Sequence, residues 1–289
     1  MDILQLLITG TTTGAIFALI AIGFSIIFNA NGIINFSQGE FVMVGGMSAA
    51  VLWSSGVPLA LAIPLACAIS VIVGVIAVGL VIAPTRRAGH IGTTIATVGF
   101  AIFLQGVVRL FFGSTNRRLP AFSEGASIDI AGATIRVQNI WIVVATALSF
   151  GVIGLFLTRT ATGRAMLGFA DNPFAASLMG IRSSTIQVQS FIIGAGVAGL
   201  AGALIAPIVF ASPTMGTMLG LKGFVAAVVG GLGRFRGAVG GGLIVGLVEA
   251  FSAGYISTAY KDAITFAVLI AVMLLRPNGV FGSASTQRV

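Results

Sequence analysis

An all-α, polytopic transmembrane bundle is the fold class this sequence predicts, and three observations predict it. Apolar runs near the ~20 residues that cross a bilayer as a helix recur along almost the whole chain. Hydrophobic residues make up 57% of it and charged residues 8%, with a mean hydropathy of +1.11, far outside the range of a soluble domain. The basic residues fall in alternate loops, the asymmetry that orients multi-span proteins.

The apolar runs lie near 3–28, 33–55, 57–83, 91–112, 140–157, 184–206, 215–233, 238–257 and 261–275, which predicts about eight to nine spans in one transmembrane domain over 1–289. Met1-Asp2-Ile3 lacks the basic region of a cleavable signal peptide, so the first run is expected to remain in the mature protein. Cys67, the single cysteine, lies inside the third run and reads as packing. Alternation over nine spans with a cytoplasmic C-terminus puts the N-terminus outside. Arg86, Arg87, Arg159, Arg164, Arg182, Arg234, Arg236, Arg276 and Arg288 then face the cytoplasm, against Arg117, Arg118, Arg136 and Lys261 outside. The outer basic residues are partly offset by Asp2, Glu124, Asp129 and Asp262. The net charge of +8 is therefore topological, and nucleic-acid binding is excluded as its reason. His90 falls beside Arg86 and Arg87 in a cytoplasmic turn and reads as solvated. The extracytoplasmic loop, 113–139, carries IDIAGATIRV, apolar residues about a glycine turn that predict a small β-hairpin.

The cytoplasmic loop 158–183 is a polar island carrying Arg159, Arg164, Asp171 and Arg182 between two spans. A short helix is written into it. Asn172 is a good N-cap, Pro173 suits the first helical position, and Gly180 can end the helix in the left-handed conformation. Phe174 and Leu178 then share a face at i, i+4 spacing, with Ala175 and Ala176 beside them. Such a helix is either a surface that docks on another protein or a connector lying on the membrane.

Glycine accounts for 40 of 289 residues. The run Gly194, Gly196, Gly199, Gly202 has the spacing by which helix backbones approach closely in lipid. Other glycines mark helix breaks around 29–46 and 219–242, and broken backbone at membrane depth is tolerated where it is buried or lines a wet path. Gly14-Ala-Ile-Phe-Ala-Leu-Ile-Ala21 resembles Gly199-Leu-Ala-Gly-Ala-Leu-Ile-Ala206 at an offset of 185, which predicts an inverted repeat. Asn35, Gln38 and Glu40, with Lys222 in the second copy, are the candidate pathway residues. Glu40 and Lys222 either guide a zwitterion as a central pair or form a structural salt bridge; Glu249 reads as structural.

Several chemistries are missing from the sequence. There is no P-loop, no Gly-x-Ser-x-Gly, no Cys/His metal cluster and no paired acid and base, so the chain is not read as an enzyme and is expected to bind no metal or cofactor.

The segments GIINFSQGEFVMVGG, GRAMLGFADNPFAASLMGI, LKGFVAAVVGGLGRFRGAVGGGLIVGLVEAF and STAYKDAITFAVLIAVMLLRPNGVFG resemble, end to end, the permease subunits of bacterial branched-chain amino-acid importers of the ABC class, in their H-type (LivH-like) branch. Residues 173–180 are also similar to the EAA loop of ABC permeases, with Phe174 where that pattern has Glu. The resemblance implies an inner-membrane importer subunit for hydrophobic amino acids. It also implies a second homologous permease, two ATPase subunits that use ATP and Mg, and a periplasmic binding protein as partners. The coupling contact to an ATPase would comprise Arg164, Asp171, Asn172, Pro173, Phe174, Ala175, Ala176, Leu178 and Gly180. A permease for urea or short amides is the nearest alternative, and a proton-coupled secondary carrier a more distant one.

Overall fold

The computed structural model describes residues 3–123, 125, 127–130 and 133–282. Asp2, Glu124, Arg288 and the Gly132 turn of the expected hairpin lie outside the described residues. Within them, the fold is a helical bundle. Six helices have the length and hydropathy of full crossings: α1 (Ile3–Asn31), α3 (Leu59–Thr85), α4 (Gly89–Phe112), α5 (Val137–Arg159), α8 (Ser183–Val209) and α10 (Phe235–Tyr255). Three more are shorter: α2 (Gln38–Ser54), α9 (Met215–Gly230) and α11 (Lys261–Leu275). At 15–17 residues these reach only about 23–26 Å, less than the ~30 Å hydrocarbon core. Each of the nine apolar runs thus falls on a helix, but only six are full-length spans. Two short helices, α6 (Ala161–Asp171) and α7 (Pro173–Leu178), occupy the 158–183 loop. In the 113–139 loop, β1 (Ser127–Ile130) and β2 (Ala133–Arg136) pair antiparallel, Ser127 opposite Arg136 and Ile128 opposite Ile135, as the hairpin reading expects.

Helix α1 forms the centre. Every residue from Gly14 to Ile27 is buried, which suits a helix that is apolar on all sides. It lies among α8, α9 and α10, whereas α4 and α5 turn Ile95, Ile102, Leu110, Leu148 and Val152 outward. The glycine run in α8 does what its spacing predicts, with Gly194 against Ile27, Gly199 against Ser70 and Gly202 against the Val42 carbonyl.

The helices form two related halves. Helix α1 packs on α10 as α8 packs on α3; α2 packs on α8 as α9 packs on α1; and α2 meets α3 as α9 meets α10. The contacts α1–α8 and α2–α9 lie on the axis relating the halves. The copies run in opposite directions. The backbone amide of Thr134 donates to Gln5 Oε1 (3.0 Å), and Arg117 bridges Ala211, so the start of α1 and the end of α8 share the hairpin end. At the other end Asn29 donates to the Gly233 carbonyl (2.7 Å), His90 meets the Gly32 carbonyl (3.0 Å), and Arg234 donates to the Phe281 carbonyl (2.9 Å). The chain's described ends therefore lie at opposite ends of the bundle. The repeat is inverted, and the expected offset of 185 holds between α1 and α8: Gly14 packs on Leu243 as Gly199 packs on Cys67, and Gly10 on Ala250 as Ala195 on Gly74. Gln38 starts α2 and Met215 starts α9, an offset of 177; Leu59 and Phe235 start α3 and α10, an offset of 176. The offset therefore falls from 185 between α1 and α8 to 177 and 176 beyond the breaks, so one register does not run through both copies.

The first break lies where expected, at 32–37; the helix also breaks within the expected 219–242, at 231–234, but the counterpart of the first break is 210–214, and residues 215–230 are continuous helix. Both breaks deliver a half-helix to the membrane interior. Ser37 Oγ donates to the Thr97 carbonyl (2.7 Å), eight residues into α4, and Gln38 Nε2 donates to the Gly194 carbonyl (2.9 Å), eleven residues into α8. At 1.5 Å per residue those points are about 12 and 16 Å from the helix ends, near mid-depth. Helix α9 starts beside it: a Cβ on Gly39 would overlap the Gly216 carbonyl, and one on Gly216 would overlap that of Gly39. Two N-termini thus meet inside the membrane and diverge.

Candidate functional site

Two sites emerge, one at the end away from the hairpin and one at the half-helix junction. At the first, Asn172 Oδ1 accepts from the Ala175 amide (3.0 Å), the N-cap its position promised, with Pro173 in the first turn. Gly180 has φ +83°, which a side chain would strain, and it closes α7 with two bonds, Gly180 N to the Ser177 carbonyl (3.0 Å) and Ile181 N to the Ala176 carbonyl (3.1 Å). The product is a rigid, capped turn. Phe174 is 73% exposed, Leu178 73% and Met179 83%, so three large apolar side chains stand together on a polar end of the molecule. Ala175 is exposed too, but Ala176 is buried, which corrects its placement on the docking face: it sits on the side of α7 turned to the protein.

Helix α6, not expected as a separate element, carries α7. Its Thr160 cap accepts from the Gly163 amide (2.9 Å), and it buries Gly163, Met166 and Phe169 while exposing Arg164 and Asp171. The three-residue spacing of those buried positions was the legible signal. Helix α6 packs on α1, α5 and α8, so α7 stands one helix away from the centre of the bundle.

At the junction, Glu40 sits in the first turn of α2, 2% exposed, where the helix dipole favours a carboxylate. Gln105 Nε2, from α4, donates to Glu40 Oε1 (2.8 Å) and to Thr217 Oγ1 (2.7 Å), and Thr217 reaches Glu40 Oε1 at 3.4 Å. Glu40 Oε2 has no partner. These groups line a cavity of about 170 Å³ with Phe24, Phe36, Ile102 and Leu221. Asn35 and Gln38 are not in its lining. Asn35 Oδ1 accepts from the Ser37 amide (3.2 Å), and Gln38 is turned towards α8. Gln105, a lone polar residue in AIFLQGVV, was readable as a partner and was missed.

Lys222 does not meet Glu40. Its Nζ lies 2.7 Å from Glu249 Oε1 and 2.7 Å from Asp262 Oδ1, with Lys261 Nζ 3.5 Å from the same Glu249 oxygen. It also stands 5.9 Å above the Phe17 ring. The correction has a register cause. At the structural offset of 177, Glu40 corresponds to Thr217 and Lys222 to Gly45, so the two charges were never equivalent. Lys222 joins α9 to α10 and α11, as a structural ion pair does.

Comparison with known proteins decides the family. The model of the branched-chain amino acid transport system / permease component family matches residues 6–273. The chain belongs to this permease family. It is 36% identical over 302 residues to the high-affinity branched-chain amino acid transport system permease protein LivH of Escherichia coli (strain K12), covering 99% of this chain and 97% of that relative. It is 34% identical over 300 residues to BraD of Pseudomonas aeruginosa, likewise a high-affinity branched-chain amino acid permease protein, covering 99% and 98%. A ribose import permease, RbsC of Haemophilus influenzae, is 28% identical, with 90% of this chain and 81% of that one covered. Among solved structures, PsaBC from Streptococcus pneumoniae in complex with Fab resembles the fold with a TM-score of 0.50 at 9% identity, over 93% of this chain and 91% of that one. That likeness concerns the fold alone. The family and the helical bundle together make the chain a multi-pass membrane permease; among the described residues no cluster of metal-ligating side chains occurs.

Proposed function

We propose that the chain is the permease subunit of an ATP-driven ABC importer for branched-chain amino acids, forming one transmembrane domain over 1–289. The observation that carries this is membership of the permease family over residues 6–273, with end-to-end similarity to LivH and BraD. ATP and Mg are used by two separate ATPase subunits, a second homologous permease completes the membrane unit, and a periplasmic binding protein delivers substrate. The chain lies in the inner membrane with its N-terminus outside and its C-terminus in the cytoplasm. The described arginines at 159, 164, 182, 234, 236 and 276 support that orientation, since all belong to the loops away from the hairpin.

Helix α7 is the coupling helix. Arg164, Asp171, Asn172, Pro173, Phe174, Ala175, Leu178 and Gly180 form or shape the surface an ATPase subunit grips, and Ala176 anchors it from below. Closure of the ATPases moves α7, α6 transmits the motion to α1, and the inverted halves rock about the α2–α9 junction. Nucleotide shifts this equilibrium through its different affinity for the two states. Glu40 lies on the substrate path; Asn35, Gln38 and Lys222 shape it from behind.

The test is leucine uptake into proteoliposomes holding the chain with its co-encoded partners. ATP-dependent accumulation that stops when the ATPases are omitted is the expected result. Uptake driven by a proton gradient without ATP would overturn the reading, and ATP-driven uptake of urea or amides in place of leucine would reassign the substrate.

A further inference from the structure

Glu40 has a feature that neither folding nor coupling uses. Glu40 lines the cavity; its Oε1 is anchored by Gln105 and Thr217, and its Oε2 has no hydrogen-bond partner although the residue is 2% exposed. A carboxylate oxygen in an apolar surround carries a large desolvation cost unless a cation or donor meets it. Arg109, one turn further along α4 from Gln105, lies within electrostatic range but places no hydrogen bond on Oε2. Phe24, Phe36, Val98, Ala101, Ile102 and Leu221 give the remaining side-chain walls, all apolar, and Gly39, Gly216 and Gly220 bring backbone to the cavity. On one side the cavity reaches the outward flank of α4, where Ile102 is 67% exposed.

We propose that this cavity is a transit site in which Glu40 Oε2 receives the ammonium group of an amino acid while the apolar walls accept its side chain. This rests on the reading of the chain as an amino-acid permease and adds the recognition step. The chemistry suits a path. One charge-assisted hydrogen bond selects a primary ammonium, and apolar side-chain walls accept leucine, isoleucine and valine alike. No charged side chain other than Glu40 lines the cavity, so the carboxylate of an amino acid meets no direct ion pair there and binding is weak enough to release. Gln105 and Thr217 are positioning residues: they hold the carboxylate at the cavity wall through Oε1, which leaves the other oxygen unpaired.

The test uses the complete reconstituted complex and measures leucine uptake alongside ATP hydrolysis. Glu40→Gln keeps the size and the hydrogen bond to Gln105 but removes the charge. Uptake is expected to fall at least about tenfold, with binding-protein-stimulated ATP hydrolysis retained. The double variant Glu40→Gln/Gln105→Glu returns a carboxylate to the same cavity with the pair reversed, and is expected to recover uptake to within roughly threefold of wild type. Replacing Na⁺ and K⁺ by choline is expected to change nothing. Uptake by Glu40→Gln within about twofold of wild type overturns the proposal, as does a double variant no better than the single one. A requirement for Na⁺ or K⁺ would assign the oxygen to an inorganic cation and also overturn it. If the wild-type complex shows no ATP-driven leucine uptake, the functional reading fails first and the transit site falls with it.

Discussion

Lys222→Met is the substitution whose outcome the structure predicts most sharply. The lysine side chain is 8% exposed and its partner Glu249 11%, so their attraction is little screened, whereas Asp262 at 37% contributes less than its 2.7 Å distance suggests. Methionine fills much the same volume and leaves two carboxylates facing each other across α10 and α11. Removing one member of a buried pair costs about 3–5 kcal/mol, because the remaining charge is left uncompensated. The low end, about 3 kcal/mol, applies here because Lys261 stays 3.5 Å from Glu249. That is roughly a 100-fold change in an equilibrium constant. Melting of the purified chain in nanodiscs should show a fall of several degrees for Lys222→Met. The double variant Lys222→Met/Glu249→Gln, which removes the pair together, should regain most of it. Wild-type stability in the single variant, or a double variant as unstable as the single, would refute the structural account. Lost uptake at wild-type stability would instead return Lys222 to the substrate path.

The coupling surface predicts a split between neighbours. Phe174→Ala/Leu178→Ala should leave the melting temperature unchanged, since both side chains face solvent in the isolated chain, yet lower ATP-driven uptake about tenfold; Ala176→Leu should destabilise by about 1–3 kcal/mol through overpacking. Equal stability of the two variants would show that α7 does not pack as described. At the half-helix junction, Gly39→Leu should abolish folded yield in size-exclusion chromatography, because its Cβ would overlap the Gly216 carbonyl. Gly99→Leu, on the outward face of α4 with nothing within 4 Å of its Cβ, should be tolerated.

The capped helix α7 was legible because its determinants are local. A cap, a first-turn proline and a left-handed glycine act within nine residues, and 172–180 carries all three. The helix beneath it, 161–171, was equally local, and its buried spacing went unread. Glu40 was singled out by the cost of a charge in lipid, which needs no partner to be seen. Its partners Gln105 and Thr217 come from α4 and α9, separated from it by 65 and 177 residues, and nothing in the spacing of INFSQGEF points to them. Lys222 failed for the same reason. A long side chain takes whichever carboxylate the packing brings within reach, and that was Glu249 and Asp262.

The sequence by itself determined that this is a helical membrane protein. It also determined where the nine apolar helices lie, that a capped helix sits between two of them, and that few charges enter the membrane. Those are consequences of hydropathy, helix-end chemistry and desolvation, all written in neighbouring residues. Only the tertiary structure decided that two of the short helices begin at mid-depth, that the offset between the halves changes from 185 to 177 and 176 beyond the first helix pair, and which charges pair. Backbone approach at Gly39 and Gly216 sets that register, and such an approach is a property of two segments in contact rather than of either one alone.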